Sequence, residues 1–130
     1  ITIPSSVNSI EKFVFQGCSF LVEVKIPFSL NSIEDNAFES CTSLKKVTFL
    51  MQPSLKKVAF EVPSSLKKIG NNVFYGCSAL ANITIPSSVT SIGYCAFYGC
   101  SSLEKIDILS PKTVISPSAF YGCSSLIRQT

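Results

Sequence analysis

The chain has 130 residues, 46% hydrophobic and 15% charged, with 11 Lys and Arg against 8 Asp and Glu for a net charge of +3. That balance excludes disorder, and no uninterrupted apolar run approaches the roughly 20 residues of a membrane span. The charge is too small, and too little interleaved with aromatics, for a nucleic-acid surface, while the absence of histidine removes Ser-His and Cys-His nucleophilic machinery.

From the N-terminus, Pro4 stops a first strand, because proline has no N–H to give to a sheet ladder. An arc carrying Ile10 and Phe15 inward leads to Leu21 and then to a strand in which Val24 and Ile26 alternate with Lys25. Period two with β-branched residues specifies a strand, and its intervening residues face solvent. Pro27 ends it. The cycle then recurs through Ile33, Phe38 and Leu44 to a strand with Val47 and Phe49. Further on, Ile69, Phe74 and Leu80 precede Ile83 and Ile85, which Pro86 terminates. Ile92, Phe97 and Leu103 lead to Ile106 and Ile108, and Ile115, Phe120 and Leu126 close the series, with Gln129 where a strand isoleucine is expected.

The leucines at 21, 44, 55, 80, 103 and 126 are separated by 23, 11, 25, 23 and 23 residues. The period is therefore 23 with one disturbance. Three Ser-Leu-Lys-Lys copies begin at Ser43, Ser54 and Ser65, and the arc signature is missing between the first two. Leu55 to Phe60 is thus either a strand on a shortened coil or an arc-like segment echoing Leu66 to Ile69.

A single such coil cannot bury both its strand and its arc, so neighbouring coils must stack. The expected fold is an α/β repeat solenoid: a right-handed arc with one parallel concave sheet and short helical or 3₁₀ turns on the convex side. One domain over 1–130, with about five to six coils and an irregular short coil near 49–61, accounts for the whole sequence. Gly17, Gly76, Gly99 and Gly122 mark turns that need positive φ or tight packing. Ile1 opens the chain without a methionine and Thr130 falls mid-repeat, which reads as a piece of a longer protein. Neither end carries an obvious polar cap, so self-association through the ends is expected unless something covers them.

Five cysteines, Cys18, Cys41, Cys77, Cys100 and Cys123, share one repeat position. A column at the strand spacing of about 4.8 Å points its thiols the same way, and disulfides need directed Cβ atoms about 3.8 Å apart. Free, buried thiols are expected, with Cys95 the most exposed. Cys95 and Cys100 form the sole close pair, too little for a cysteine metal site, and the carboxylates are scattered rather than paired. Phosphate-binding glycine loops are absent too. The sequence thus implies no metal, no cofactor and no enzyme. Asn82-Ile83-Thr84 matches a glycosylation sequon but lies on a strand, where it reads as a chance match.

Two candidate binding surfaces remain. The outward strand positions form ladders: Glu23, Lys46, Lys57, Asn82, Lys105 and Arg128 in one, and Lys25, Thr48, Ala59, Thr84 and Asp107 in the next. Lys45, Lys46, Lys56, Lys57, Lys67 and Lys68 also make a local basic patch. Such a face suits an acidic protein segment or an anionic glycan, although charges of this kind also serve simply to keep a sheet soluble. The second surface is a column of Tyr75, Tyr98 and Tyr121 directly after the arc phenylalanines, with Gln16 and Glu39 in its first two places. Aligned tyrosines suit an interface, and lateral packing between coils explains them equally well.

Phe-x-Gly/Ser-Cys-Ser/Thr-x-Leu occurs five times, at residues 15–21, 38–44, 74–80, 97–103 and 120–126, and Ile-Pro-Ser-Ser-Val-Thr-Ser-Ile-Gly precedes the fourth copy. Over essentially its whole length the chain resembles the BspA-like subclass of leucine-rich repeats, found in surface proteins of bacteria and parasitic protozoa. The resemblance implies a cell-surface or secreted module that adheres to host-cell receptors or extracellular-matrix proteins through its concave face. An intracellular protein-interaction scaffold and a structural spacer are the alternatives. The unpaired thiols are compatible with a reducing compartment.

Overall fold

The computed structural model describes residues 1–50 and 65–127. These hold nine short strands, all paired in parallel. Four are long: β2 (Glu23–Ile26), β4 (Lys46–Phe49), β6 (Asn82–Ile85) and β8 (Lys105–Ile108). Five are two-residue strands: β1 (Ser9–Ile10), β3 (Ser32–Ile33), β5 (Lys68–Ile69), β7 (Ser91–Ile92) and β9 (Val114–Ile115). The long and short strands alternate along the chain, so each coil contributes one of each to a parallel β-solenoid.

The short strands form a five-stranded sheet in the order β1-β3-β5-β7-β9. Sequence reasoning placed Ile10, Ile33, Ile69, Ile92 and Ile115 on a returning arc and expected one sheet. Two residues are too few to show an alternation of period two, which is why this second sheet had no sequence signature. On the other side β2 pairs with β4 and β6 with β8, while no ladder joins β4 to β6 among the described residues.

Arcs connect the short strands to the long ones, and here the expected helical or 3₁₀ turns must be corrected. The described residues contain no helix. Backbone conformation explains why. Phe13, Asn36, Asn72 and Cys95 sit at φ of 64, 62, 57 and 55°, and Gly17, Gly76, Gly99 and Gly122 at 73, 73, 72 and 78°. With Ser40 at 60°, each of the first four arcs holds two left-handed residues four apart and the last holds Gly122, which breaks any run of helical φ and ψ. The N–H groups then alternate in direction. Gln16 and Cys18 donate back to the carbonyls of Phe13 and Phe15, at 3.1 and 3.2 Å. Phe13, Phe15 and Gly17 donate instead to Asp35, Ala37 and Glu39 of the next coil, at 3.3, 2.9 and 2.8 Å. Asn36, Phe38 and Ser40 do the same to Asn71, Val73 and Tyr75, and Asn72, Phe74 and Gly76 to Tyr94, Ala96 and Tyr98. In this way the arc satisfies its backbone by coil-to-coil bonds that a helix could not make.

The core fills the space enclosed by the coil. Val24, Ile26, Val47, Ile83 and Ile85 enter it from the long strands, and Ile33, Ile69 and Ile92 from the short ones. Phe15, Phe38, Phe74, Phe97 and Phe120 run through it as one stack, with successive ring centroids 5.2, 5.6, 5.3 and 5.5 Å apart. Each fully buried phenylalanine or aliphatic contributes about 1.5–3 kcal/mol.

The stack passes undisturbed across the irregular stretch. Ser32 lies opposite Lys68, an offset of 36 residues where Ser9 lies 23 from its partner Ser32, and the Phe38 N–H reaches Val73 directly at 3.0 Å. The arcs of Phe38 and Phe74 are therefore direct neighbours. Residues 51–64 fall between β4 and β5, so the question of Leu55 to Phe60 lies outside the described residues.

Candidate partner-binding face

Alternation along the long strands decides which side chains are presented. In β6 the burial runs exposed, buried, exposed, buried, which puts Asn82 and Thr84 outside and Ile83 and Ile85 in the core. β2 repeats the pattern with Glu23 and Lys25, and β4 with Lys46 and Thr48. β8 presents Lys105 and Asp107. Parallel register then sets Glu23 opposite Lys46, Lys25 opposite Thr48, Asn82 opposite Lys105 and Thr84 opposite Asp107. Eight of the eleven ladder residues singled out in the sequence therefore lie on one face, while Lys57, Ala59 and Arg128 lie outside the described residues.

The charges on that face are largely matched. Lys46 Nζ lies 3.8 Å from Glu23 Oε2, and Lys105 Nζ lies 3.8 Å from Asp107 Oδ2. Both pairs are well exposed to water, where such pairs contribute about 0–1 kcal/mol. Among the described residues three ladder lysines thus meet two carboxylates, and Lys25 has no ion pair. The middle of the face, Thr48, Asn82 and Thr84, carries hydrogen-bonding groups without charge.

The tyrosine column is a stack. Tyr75 and Tyr98 lie nearly parallel with centroids 4.7 Å apart, and Tyr121 follows at 6.0 Å and 25°. Tyr75 and Tyr98 are half-buried by this contact, and Tyr121 is 69% exposed. Lateral packing and an accessible surface therefore coexist in one column. Its first two places are bridged by a hydrogen bond from the Gln16 amide to the Glu39 carboxylate.

All six cysteines are free. Cys41, Cys77 and Cys100 are fully buried, whereas Cys18 and Cys123, at the two ends of the column, are half-buried like Cys95. Cys41, Cys77, Cys100 and Cys123 donate Sγ–H to the carbonyls of Phe15, Phe38, Phe74 and Phe97, each at 3.1 Å. Burial pushes the Cys41 thiol up to about 11 and the Cys77 thiol up to about 12, and raises Cys100 and Cys123 as well. Thiolate chemistry is thereby suppressed at these four cysteines. Elsewhere the Ser32 hydroxyl, with the Lys68 ammonium behind it, holds the Glu34 carboxyl below its usual range. Among the described residues no group of three metal-ligating side chains comes together, and no helix is long and apolar enough to cross a membrane.

Sequence reasoning missed two features. One is a ladder of side-chain acceptors on the arc: Asp35 Oδ1 takes the Asn71 N–H at 2.9 Å, and Asn71 Oδ1 takes the Tyr94 N–H at 3.0 Å. The other is Phe13, a 52% exposed aromatic in the left-handed region, where later coils carry Asn36, Asn72 and Cys95. Comparing copies column by column, rather than reading only the shared letters, would have found both.

The sequence matches the BspA type leucine-rich repeat region profile in two overlapping stretches, 1–61 and 49–130. The chain belongs to the BspA-type leucine-rich-repeat family. Solved structures agree with this BspA-type assignment. A leucine rich cell surface protein from Faecalibacterium prausnitzii is 36% identical with a TM-score of 0.81, over 98% of this chain and 30% of its own. A leucine-rich repeat protein from Bacteroides ovatus is 30% identical with a TM-score of 0.61, over 97% of this chain and 38% of its own. The leucine rich repeat protein of T. pallidum is 25% identical with a TM-score of 0.53, over 98% of this chain and 77% of its own. The BspA-type chain spans about a third of the length of the first two. No curated protein sequence matches it.

Proposed function

We propose that this BspA-type segment is the protein-binding module of a cell-surface or secreted protein, and that the face of β2, β4, β6 and β8 holds the partner. One observation carries the reading. Inward residues of these strands repeat from coil to coil as Val24, Val47, Ile83 and Ile106, while the outward neighbours change from Glu23 to Lys46, Asn82 and Lys105. Packing accounts for the first set and places no demand on the second, so specificity resides in the outward letters. The name of the F. prausnitzii relative, a cell surface protein, supports the location. Host or matrix adhesion is the finer form of this reading, with a matrix protein or host receptor as partner and the tyrosine column as a second contact.

Matched charges on the face favour a protein with mixed polar groups over a highly sulfated glycan, since only Lys25 of the described ladder lacks a counter-charge. Binding to an immobilised, solubilised basement-membrane preparation tests this. Replacing Lys25, Thr48, Asn82 and Thr84 together by alanine should weaken capture at least about tenfold with an unchanged melting temperature. Unchanged capture removes the face from the function, and displacement by heparin alone assigns the site to anionic glycans. The six free thiols favour a second reading, an intracellular scaffold. Thiol alkylation on intact producing cells separates the two, because a surface protein is labelled from outside at Cys18, Cys95 or Cys123 and an intracellular one is not.

A further inference from the structure

Tyr75 and Tyr98 hold the same repeat position in adjacent interior coils, 23 residues apart. Three backbone bonds fasten their arcs together, from the Asn72, Phe74 and Gly76 N–H groups to the Tyr94, Ala96 and Tyr98 carbonyls, at 3.0, 2.7 and 2.7 Å. The neighbouring Phe74 and Phe97 rings stack at 5.3 Å, and each has a further ring on its other side. The tyrosine rings are thereby held in register, 4.7 Å apart and 9° from parallel. Among the described residues no other ring pair comes so close, and Tyr98 stands 6.0 Å from Tyr121 at 25°.

Stacking accounts for the ring bodies and leaves the phenol oxygens unexplained. Neither oxygen has a hydrogen-bond partner among the described residues, and no buried side-chain oxygen there lacks one, so both reach water. The ortho carbons that flank each oxygen lie at the same outer end of the ring. The most easily oxidised groups nearby are sealed off. Cys77 and Cys100, two residues after each tyrosine, are buried and donate to the carbonyls of Phe38 and Phe74 at 3.1 Å. Tyr94, by contrast, is 55% exposed and stacks on no ring among the described residues.

We propose that Tyr75 and Tyr98 are a site of oxidative coupling, where a haem peroxidase turning over hydrogen peroxide joins the two rings and staples one coil to the next. Each phenol gives up one electron and its O–H proton, and the two phenoxyl radicals form a carbon–carbon bond between ortho carbons. The hydrogens on those carbons then move to the oxygens, which restores both phenols. In balance one C–C bond forms, two C–H bonds break, and the two electrons and two protons lost convert one peroxide into two waters. Closing the chain between residues 75 and 98 restricts the unfolded state, as a disulfide does, without engaging any of the buried thiols. This inference is independent of what the long-strand face binds.

Oxidation of the dilute 130-residue chain by a haem peroxidase and limiting hydrogen peroxide, with accessible thiols first blocked by N-ethylmaleimide, tests it. The monomer should lose the mass of two hydrogen atoms, gain dityrosine fluorescence, and yield a proteolytic fragment joining Tyr75 to Tyr98. Tyr75→Phe and Tyr98→Phe each keep the stacked ring, and each should lower the intrachain yield at least about tenfold, because only a positioned pair couples at high effective concentration. Tyr94→Phe and Tyr121→Phe should leave it unchanged, and unfolding in urea before oxidation should lower it as the first two variants do. The coupled chain should then unfold at a higher urea midpoint than the uncoupled one. A monomer that keeps its mass while added free tyrosine is consumed overturns the site. So does a link that maps to another tyrosine, a yield that survives in Tyr75→Phe, or an equal yield from the unfolded chain. An unchanged midpoint overturns the staple.

Discussion

At the scale of single residues, the buried thiols couple the fold to pH. A cysteine whose ionisation is pushed up by burial is neutral in the native state and ionises at an ordinary value once the chain unfolds. Native stability is therefore fully present below about pH 9 and is lost as pH rises through the folded values of Cys41 and Cys77, about 11 and 12. Denaturant midpoints measured from neutral to alkaline pH should fall across that window, and Cys77→Ala should flatten the slope while lowering stability at neutral pH. A thiol reagent should leave Cys41, Cys77 and Cys100 unlabelled in native protein and reach all six cysteines after denaturation. Phe13 shows the opposite economy: a bulky residue held at φ 64° costs about 1–2 kcal/mol that Asn36 and Asn72 avoid in the same place.

Among the elements, the arcs depend on pairs of residues from different coils. A Cβ on Gly70 would lie 2.5 Å from Asp35 Oδ1 and 3.0 Å from the Asp35 nitrogen. On Gly93 it would press on the Asn71 side chain and lie 2.7 Å from the Asn71 nitrogen. Each glycine makes room for the acceptor that caps the residue after it. Where that residue is Pro117 there is no N–H to cap, and Tyr94 stands in place of an acceptor. Gly93→Ala should therefore destabilise the chain by about 1–3 kcal/mol in chemical denaturation. Adding Asn71→Ala should recover little, because the backbone contact persists. A neutral Gly93→Ala would refute this account of the arc. The coupling was not legible from one copy, since its partners stand 23 or 36 residues apart in the sequence.

For the whole molecule, stability is a sum over neighbouring coils, so position in the stack matters as much as residue type. Phe74 contacts Phe38 and Phe97, whereas Phe15 contacts only Phe38 among the rings. Phe74→Ala should cost about 3–5 kcal/mol and Phe15→Ala clearly less, compared by urea midpoints at matched slopes. Equal losses would mean that the stack is not the unit of cooperativity. The solenoid, its inward residues and the outward ladders were all determined by the sequence, because a period of 23 with alternating strand residues admits one way to bury the apolar set. The direction of the backbone bonds, the turn-built arcs and the charge matching on the long-strand face were decided only in three dimensions. Each depends on which atom of one coil meets which atom of the next, and a repeat read along a single chain specifies the coil without specifying that contact.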